Sequence, residues 1–276
     1  MGRLIAVLKW LTWLSIDIGL GAVVLTNSIA YLFGVDMDGS ISVALFVCVW
    51  LIYTLDHLLD AKKLKKEPSM ERHAFHYRNA SWIFSAWIII AVFSLFLVFF
   101  LPTTTLLYGV VVAGLVGVYI MLAWWLRVFV AKEFLIAVLY AVGVFIGPLS
   151  RGLSLELKPT IVFVELALLA LINLMLFSMY EQEKDAKDGF SSWATIFGSS
   201  QLRSILKLAL LSLTIVWGYG LTLGDDMRWL PFQLIIGAMG VFLAWLYWKR
   251  DFFHANKSYR VIGDAVFFFP VLIFLL

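Results

Sequence analysis

Two clusters of acid stand at the ends of apolar runs. In the first, Tyr53, Asp56, His57 and Asp60 recur at spacings of three and four. A helix places them on one face. In the second, Glu181 and Asp185 are again four apart, and Gly189 stands where a helix takes its left-handed C-terminal residue. Carboxylates near a helix C-terminus meet the negative end of the macrodipole and call for a positive partner. The four carboxylates Asp56, Asp60, Glu181 and Asp185 are oxygen ligands of the kind Mg²⁺ prefers, and that ion is commonly held by a few carboxylates together with substrate phosphates. The bases Arg72, Arg78, Lys132 and Lys184 suit the remaining phosphate charge. The plainer alternative is that helix-end acids neutralise adjoining lysines at a membrane surface. Two separate pairs at matching places favour ligand binding, because buried acids need compensation.

The elements that carry these residues follow from composition. The chain has 276 residues, 63% hydrophobic and 14% charged, with mean hydropathy +0.96. A soluble domain carries about a quarter of charged residues, so this is an all-α integral membrane protein. A net charge of +3 is too small for a nucleic-acid partner. The 12 Trp and 10 Tyr suit interfacial belts, with the surplus lining the interior. A single cysteine, Cys48, excludes an intramolecular disulfide.

Apolar runs of about 20 residues predict nine spans, making residues 1–276 one membrane domain. The first runs roughly 4–33 and contains Asp17. Arg3 and Lys9 ahead of apolar residues imitate a signal peptide, but the run is longer than an h-region and shows no clear cleavage pattern. The second carries acidic motif one (53–60) and is followed by a basic loop, 61–79, with Lys62, Lys63, Lys65, Lys66, Arg72 and Arg78. The third stops at Pro102, the fourth near Arg127, and the fifth at Gly147-Pro148. The sixth leads into acidic motif two (178–189). The seventh ends near Asp225-Asp226, the eighth at Lys249-Arg250, and the ninth runs from Tyr259 to Leu276. The excess of Lys and Arg in alternate loops predicts a cytoplasmic N-terminus, both acidic motifs cytoplasmic, and the C-terminus on the opposite side.

On these residues the chain resembles the UbiA superfamily of intramembrane prenyltransferases. That family has nine spans and two aspartate-rich motifs, after the second and sixth. Tyr53-x-x-Asp56-x-x-x-Asp60 looks like the first. Glu181-x-x-x-Asp185-x-x-x-Gly189, followed by Ser192-Trp193-Ala194-Thr195-Ile196-Phe197-Gly198, looks like the second. Lys132 is similar to a basic residue the family uses near the diphosphate. The departures are Ile52 and Tyr53 where the first motif opens with Asn and Asp, Phe177 and Ser178 where members often carry Asn or Asp, and Glu181 for Asp. His57, Tyr53, Ser178 and Glu183 are candidates to complete the shell. The resemblance implies a bundle around an apolar chamber, Mg²⁺-bridged binding of a prenyl diphosphate, and transfer of the prenyl group to an apolar, aromatic or otherwise electron-rich acceptor. Tyr53, His57, Arg72, His73, His76, Arg78, Lys132 and Lys184 are the expected diphosphate-binding set, with Asp56, Asp60, Glu181 and Asp185 as catalytic metal ligands.

His73 and His76, three apart, share a helix face with no Cys or His framework of zinc spacing. They are read as interfacial residues or diphosphate donors, and as candidate general bases with His57. Asp17, Glu165 and Asp264 lie within apolar runs and are read as structural, with Arg260 and Asp264 four apart and able to pair. Two other readings stand beside the enzyme. A non-catalytic isoprenoid-binding or assembly subunit fits the missing motif acids. A transporter fits only the intramembrane acids and lacks matching Gly/Pro-interrupted spans.

Overall fold

The computed structural model of the protein describes residues 10–64, 67–126, 130–224 and 226–275. Arg3, Lys9, Lys65, Lys66, Arg127, Asp225 and Leu276 lie outside the described residues. The helices, in order, are α1 (Ile16–Leu32), α2 (Gly39–Lys63), α3 (Glu71–Leu97), α4 (Thr103–Trp125), α5 (Lys132–Ser150), α6 (Leu157–Asp188), α7 (Trp193–Leu221), α8 (Trp229–Trp248), α9 (Arg250–Ala255) and α10 (Tyr259–Ala265). A 3₁₀ turn, Val98–Phe100, extends α3, and a 3₁₀ segment, Val266–Leu275, extends α10. There is no strand among the described residues.

Seven helices among the described residues, α2 to α8, are long and apolar enough to cross a bilayer. The protein is an integral, multi-pass membrane protein. α1 has 17 residues, and α10 has 7 before the 10 of its 3₁₀ extension. A 3₁₀ rise of about 2 Å per residue stretches this last segment to roughly 30 Å, the depth of a hydrocarbon core. The outward faces of α3 and α4 expose Phe93, Phe96, Leu107 and Val110. Such a surface is stable against lipid and a liability in water.

The first expected span is interrupted. Residues 10–13 are helical, but Ser15 is left-handed (φ 56°), so α1 starts afresh at Ile16. Trp10 and Trp13 instead pack their rings against Phe75 of α3 at 5.1 and 5.4 Å. Aromatic contact decides this local geometry where hydropathy alone reads one continuous run.

The central helix is α6, packed on α5, α7, α8 and α10. Its Leu169, Ile172, Met175 and Leu176 are fully buried. Among helices in lipid, dispersion and close packing hold the bundle together more than exclusion of water does. Gly263 of α10 shows how close that packing is, since a Cβ there would lie 2.5 Å from Asn173 Oδ1 and 2.8 Å from Phe177. The C-terminal segment also packs along α1, where Ser28 Oγ donates to the Pro270 carbonyl at 2.9 Å. Both acidic motifs thereby reach the same end of the bundle.

Candidate functional site

At that end a cavity of about 180 Å³ is bordered by residues of both motifs, among them Asp56, Asp60, Glu181 and Asp185. Tyr53, His57, Arg72, His73 and Lys132 of the expected set border it as well. His76, Arg78 and Lys184 do not. His76 is buried behind His57, ring to ring at 5.0 Å. Arg78 pairs with Glu67 at 2.5 Å on an exposed surface. Glu183 is exposed and also outside the lining.

The first motif delivers its face as a helix should, because α2 runs unbroken through Lys63. Asp60 lies 3.4 Å from Lys63 Nζ and 3.8 Å from Lys132 Nζ. The two lysines supply the positive partners that a helix C-terminus demands of its acids. Asp56, one turn earlier, makes no ion pair among the described residues. His57 Nδ1 is bonded to the Tyr53 carbonyl, and a carbonyl only accepts, so Nδ1 carries the proton. In the neutral ring Nε2 is then a lone pair, and it is buried with no partner. That makes His57 a proton acceptor and removes it from the neutral diphosphate donors. His73 packs between His57 (5.7 Å) and Phe190 (5.2 Å). Arg72 Nε and His73 Nδ1 are also buried without a hydrogen-bond partner among the described residues.

The second motif ends as its glycine requires. Gly189 is left-handed (φ 75°), with Phe190 N–H donating to the Asp185 carbonyl at 2.9 Å and Gly189 N–H to that of Ala186 at 3.4 Å. This double bond pattern is a Schellman cap, and it turns Phe190 over the cavity. The amides opening α7 are taken by acids and hydroxyls from elsewhere: Glu133 Oε1 accepts from Trp193 N–H and Ser178 Oγ from Ala194 N–H, each at 2.8 Å. Ser178, which also borders the cavity, therefore serves as a helix cap.

Glu181 is committed. Its Oε1 accepts from Arg260 Nε at 2.5 Å and Tyr259 Oη at 3.0 Å, and its Oε2 from Arg260 Nη2 at 2.5 Å. The Arg260 guanidinium also lies over Phe177, 4.6 Å from the ring centre. The expected Arg260 to Asp264 pairing is thus replaced, and Asp264 instead accepts from Asn173 at 3.2 Å. Arg260, Asp264, Asn173 and Asp17 all border the cavity. Sequence reading gave Asp17 and Asp264 structural roles, and their position on this wall was the part it missed. Glu165 is buried away from it, bonded to Gln233 at 3.1 Å. Outside the bundle, Lys257 lies 2.8 Å from Glu71, whose hydrogen bond and charge raise the pKa of the ammonium above its ordinary value.

No three His, Cys, Asp or Glu side chains among the described residues are gathered closely enough to hold a metal ion unaided. Mg²⁺ typically takes one or two protein carboxylates and completes its shell with water and phosphate oxygens. Asp56 and Asp60, one turn apart on the cavity wall, fit that description; Glu181, held by three hydrogen bonds, does not.

Beside the polar cavity, across Tyr53, Asp56, Ile136 and Tyr140, is an apolar chamber of about 390 Å³ lined by residues of α2, α3, α4 and α5. Those four residues border both spaces.

No family model matches the chain, and no curated protein matches it. Solved structures do. A UbiA homologue from Archaeoglobus fulgidus bound to DMAPP and Mg²⁺ superposes with a TM-score of 0.65 at 12% identity, covering 98% of each chain. A UbiA homologue from Aeropyrum pernix K1, in its apo form, gives 0.67 at 12% identity over 95% of this chain and 99% of the other. A digeranylgeranylglyceryl phosphate synthase gives 0.56 at 14% identity over 98% and 96%. The chain has the fold of the UbiA superfamily.

Proposed function

We propose that this protein binds a prenyl diphosphate and transfers its prenyl group to an apolar, electron-rich acceptor in the membrane. The observation that carries the reading is the junction at Tyr53, Asp56, Ile136 and Tyr140, where a cavity of paired acids and bases meets an apolar chamber. The fold likeness to a homologue bound to DMAPP and Mg²⁺ supports it. The excess of Lys and Arg in these loops supports a cytoplasmic position for this end of the bundle and the opposite side for the C-terminus.

Asp56 and Asp60, with Asp185 across the cavity, would hold Mg²⁺, which when bound neutralises charge on the diphosphate oxygens. Lys132 and Arg72 bind the same oxygens, the latter through the unpartnered Nε. Glu181 positions Arg260 on the cavity wall. With the head so placed, C1 of the prenyl group lies at the junction, beside the rings of Tyr53 and Tyr140. The C1–O bond breaks with its electron pair passing to the diphosphate, and aromatic faces stabilise the allylic cation. An electron pair of the acceptor closes the new bond at C1. The proton the acceptor loses passes to Nε2 of His57.

One observation favours a second reading, a non-catalytic isoprenoid-binding subunit: both Glu181 oxygens are already taken by Arg260. Binding of radiolabelled geranylgeranyl diphosphate to purified protein, with Mg²⁺ or with chelator, tests the site, and diphosphate release with a hydroquinone acceptor separates the readings. Asp56→Ala and Asp60→Ala are each expected to weaken binding at least about tenfold, equivalent to about 1.4 kcal/mol. Unchanged binding in both variants would remove the proposed site.

A further inference from the structure

We infer that this protein holds its diphosphate with one divalent ion, and that the Arg260 guanidinium takes the place a second ion would have on the other acidic motif. The inference rests on the prenyl-diphosphate reading and concerns how the head of that ligand is held. Two acidic motifs on one cavity suggest a metal at each, and the first supplies a pair, Asp56 and Asp60, one turn apart on the wall. The second supplies no free pair. Both Glu181 oxygens are bonded to Arg260, 79 residues away on α10, and Tyr259 adds a third bond at 3.0 Å. A metal that drew on Glu181 would have to break this buried pair, and stranding one partner of such a pair is strongly destabilising. Asp185 alone remains, one helical turn from Glu181. A second dication there would stand close to the guanidinium, like charge beside like charge.

The side chains that depart from an aspartate-rich second motif are the ones that hold the arginine. Phe177 and Glu181, four apart on α6, share a face. The ring of Phe177 lies 4.6 Å from the guanidinium carbon, and Glu181 runs along the guanidinium edge. Gly263, three residues after Arg260, brings α10 close enough that a Cβ there would lie 2.8 Å from the same Phe177 ring. Ring, acid and glycine together fix where the arginine stands.

This arrangement leaves the end of the guanidinium free. An arginine carries five N–H donors, and Glu181 occupies the edge formed by Nε and Nη2. The fork formed by Nη1 and the second hydrogen of Nη2 donates to no side chain or carbonyl among the described residues. Arg260 borders the cavity, and its side chain keeps 17% of its surface open against 5% for Glu181. Two parallel N–H groups match two phosphate oxygens. Because Glu181 already holds the plane in place, little freedom is lost when they bind. The guanidinium brings one positive charge where Mg²⁺ brings two, and Lys132 and Arg72 on the same cavity supply the difference.

The test counts metal on the full-length protein saturated with geranylgeranyl thiodiphosphate, with Mn²⁺ in place of Mg²⁺. One Mn²⁺ per bound thiodiphosphate is expected, with the uncoupled electron paramagnetic resonance signal of an isolated ion. Two ions, which one diphosphate would bridge at about 4 Å and couple magnetically, overturn the inference without recourse to any variant. Arg260→Lys keeps a charge opposite Glu181 and removes the fork. It is expected to weaken thiodiphosphate binding at least about tenfold, as loss of charge-assisted hydrogen bonds does, with the Mn²⁺ count still one. Unchanged affinity in folded Arg260→Lys would make the pair a tie between helices only and overturn the inference. Glu181→Gln still accepts from Arg260, and its Mn²⁺ affinity is expected to stay within about threefold, whereas Asp56→Asn loses a ligand. An equal loss in both variants would return Glu181 to the metal shell and overturn the inference. If thiodiphosphate does not bind at all, the prenyl-diphosphate reading itself falls, a result distinct from binding with two ions.

Discussion

At the scale of single residues, the site is a set of acids each given a different partner. Asp60 has two lysines, Glu181 has an arginine and a tyrosine, and Asp56 borders the cavity with no ion pair among the described residues. Spacing alone puts Tyr53, Asp56, His57 and Asp60 on one helix face and Glu181 and Asp185 on another, because a helix fixes which side chains share a face. It could not reveal that Arg260 crosses to Glu181, since a local partner, Asp264, stands four residues away and nothing local says which pairing wins. Removing one partner of a buried pair strands the other charge at about 3–5 kcal/mol. Arg260→Ala is therefore expected to lower the thermal unfolding temperature in detergent sharply, and the double variant Arg260→Ala with Glu181→Gln to recover part of it. Equal unfolding temperatures for the single and double variants would show that the two groups are not coupled. His57 makes a separate prediction. His57→Gln should lower turnover about a hundredfold, as loss of a general base does, while diphosphate affinity stays within about threefold. A parallel loss of affinity would make His57 a headgroup ligand.

At the scale of elements, two glycines shape the approach to the cavity. Gly189 ends α6 in a left-handed cap, and Gly198 (φ 76°, ψ 161°) breaks α7 five residues after it begins. The opening turn of α7 can then present its amides to Glu133 and Ser178 while the remainder runs as a span. The cap is legible, because a glycine just after the last residues of a helical pattern is a stop signal. The kink was less so, since Phe197-Gly198 lies inside an otherwise continuous pattern. An alanine at Gly189 must adopt the left-handed region at a cost of about 1–2 kcal/mol. Gly189→Ala should lower the unfolding temperature and weaken diphosphate binding together, because Phe190 and Asp185 move with the cap. Lowered stability with unchanged affinity would separate the cap from the site. The interruption at Ser15 escaped the hydropathy pattern because Trp10 and Trp13 are as apolar as a span and are claimed by Phe75, a contact distant in sequence.

At the scale of the whole molecule, hydropathy and charge place the chain in the membrane, and the position of two acidic motifs at one end of the bundle anticipates a shared cavity. The chamber beyond it is invisible to composition. It arises where α2, α3, α4 and α5 stand apart, and in sequence their inward and lipid-facing residues are equally apolar. The two spaces share Tyr53, Asp56, Ile136 and Tyr140 in their walls, and the proposed function requires one amphiphile to occupy both, with its head among Asp56, Asp60, Lys132 and Arg72 and its tail in the chamber. The most direct measurement is an experimental structure of the protein with Mg²⁺ and geranylgeranyl thiodiphosphate, a slowly reacting analogue. The account requires diphosphate density beside Asp56 and Asp60 and a continuous tail passing Tyr53 and Tyr140 toward Ile41. A head bound elsewhere, or a chamber filled by lipid with the acidic cavity closed off from it, would contradict it.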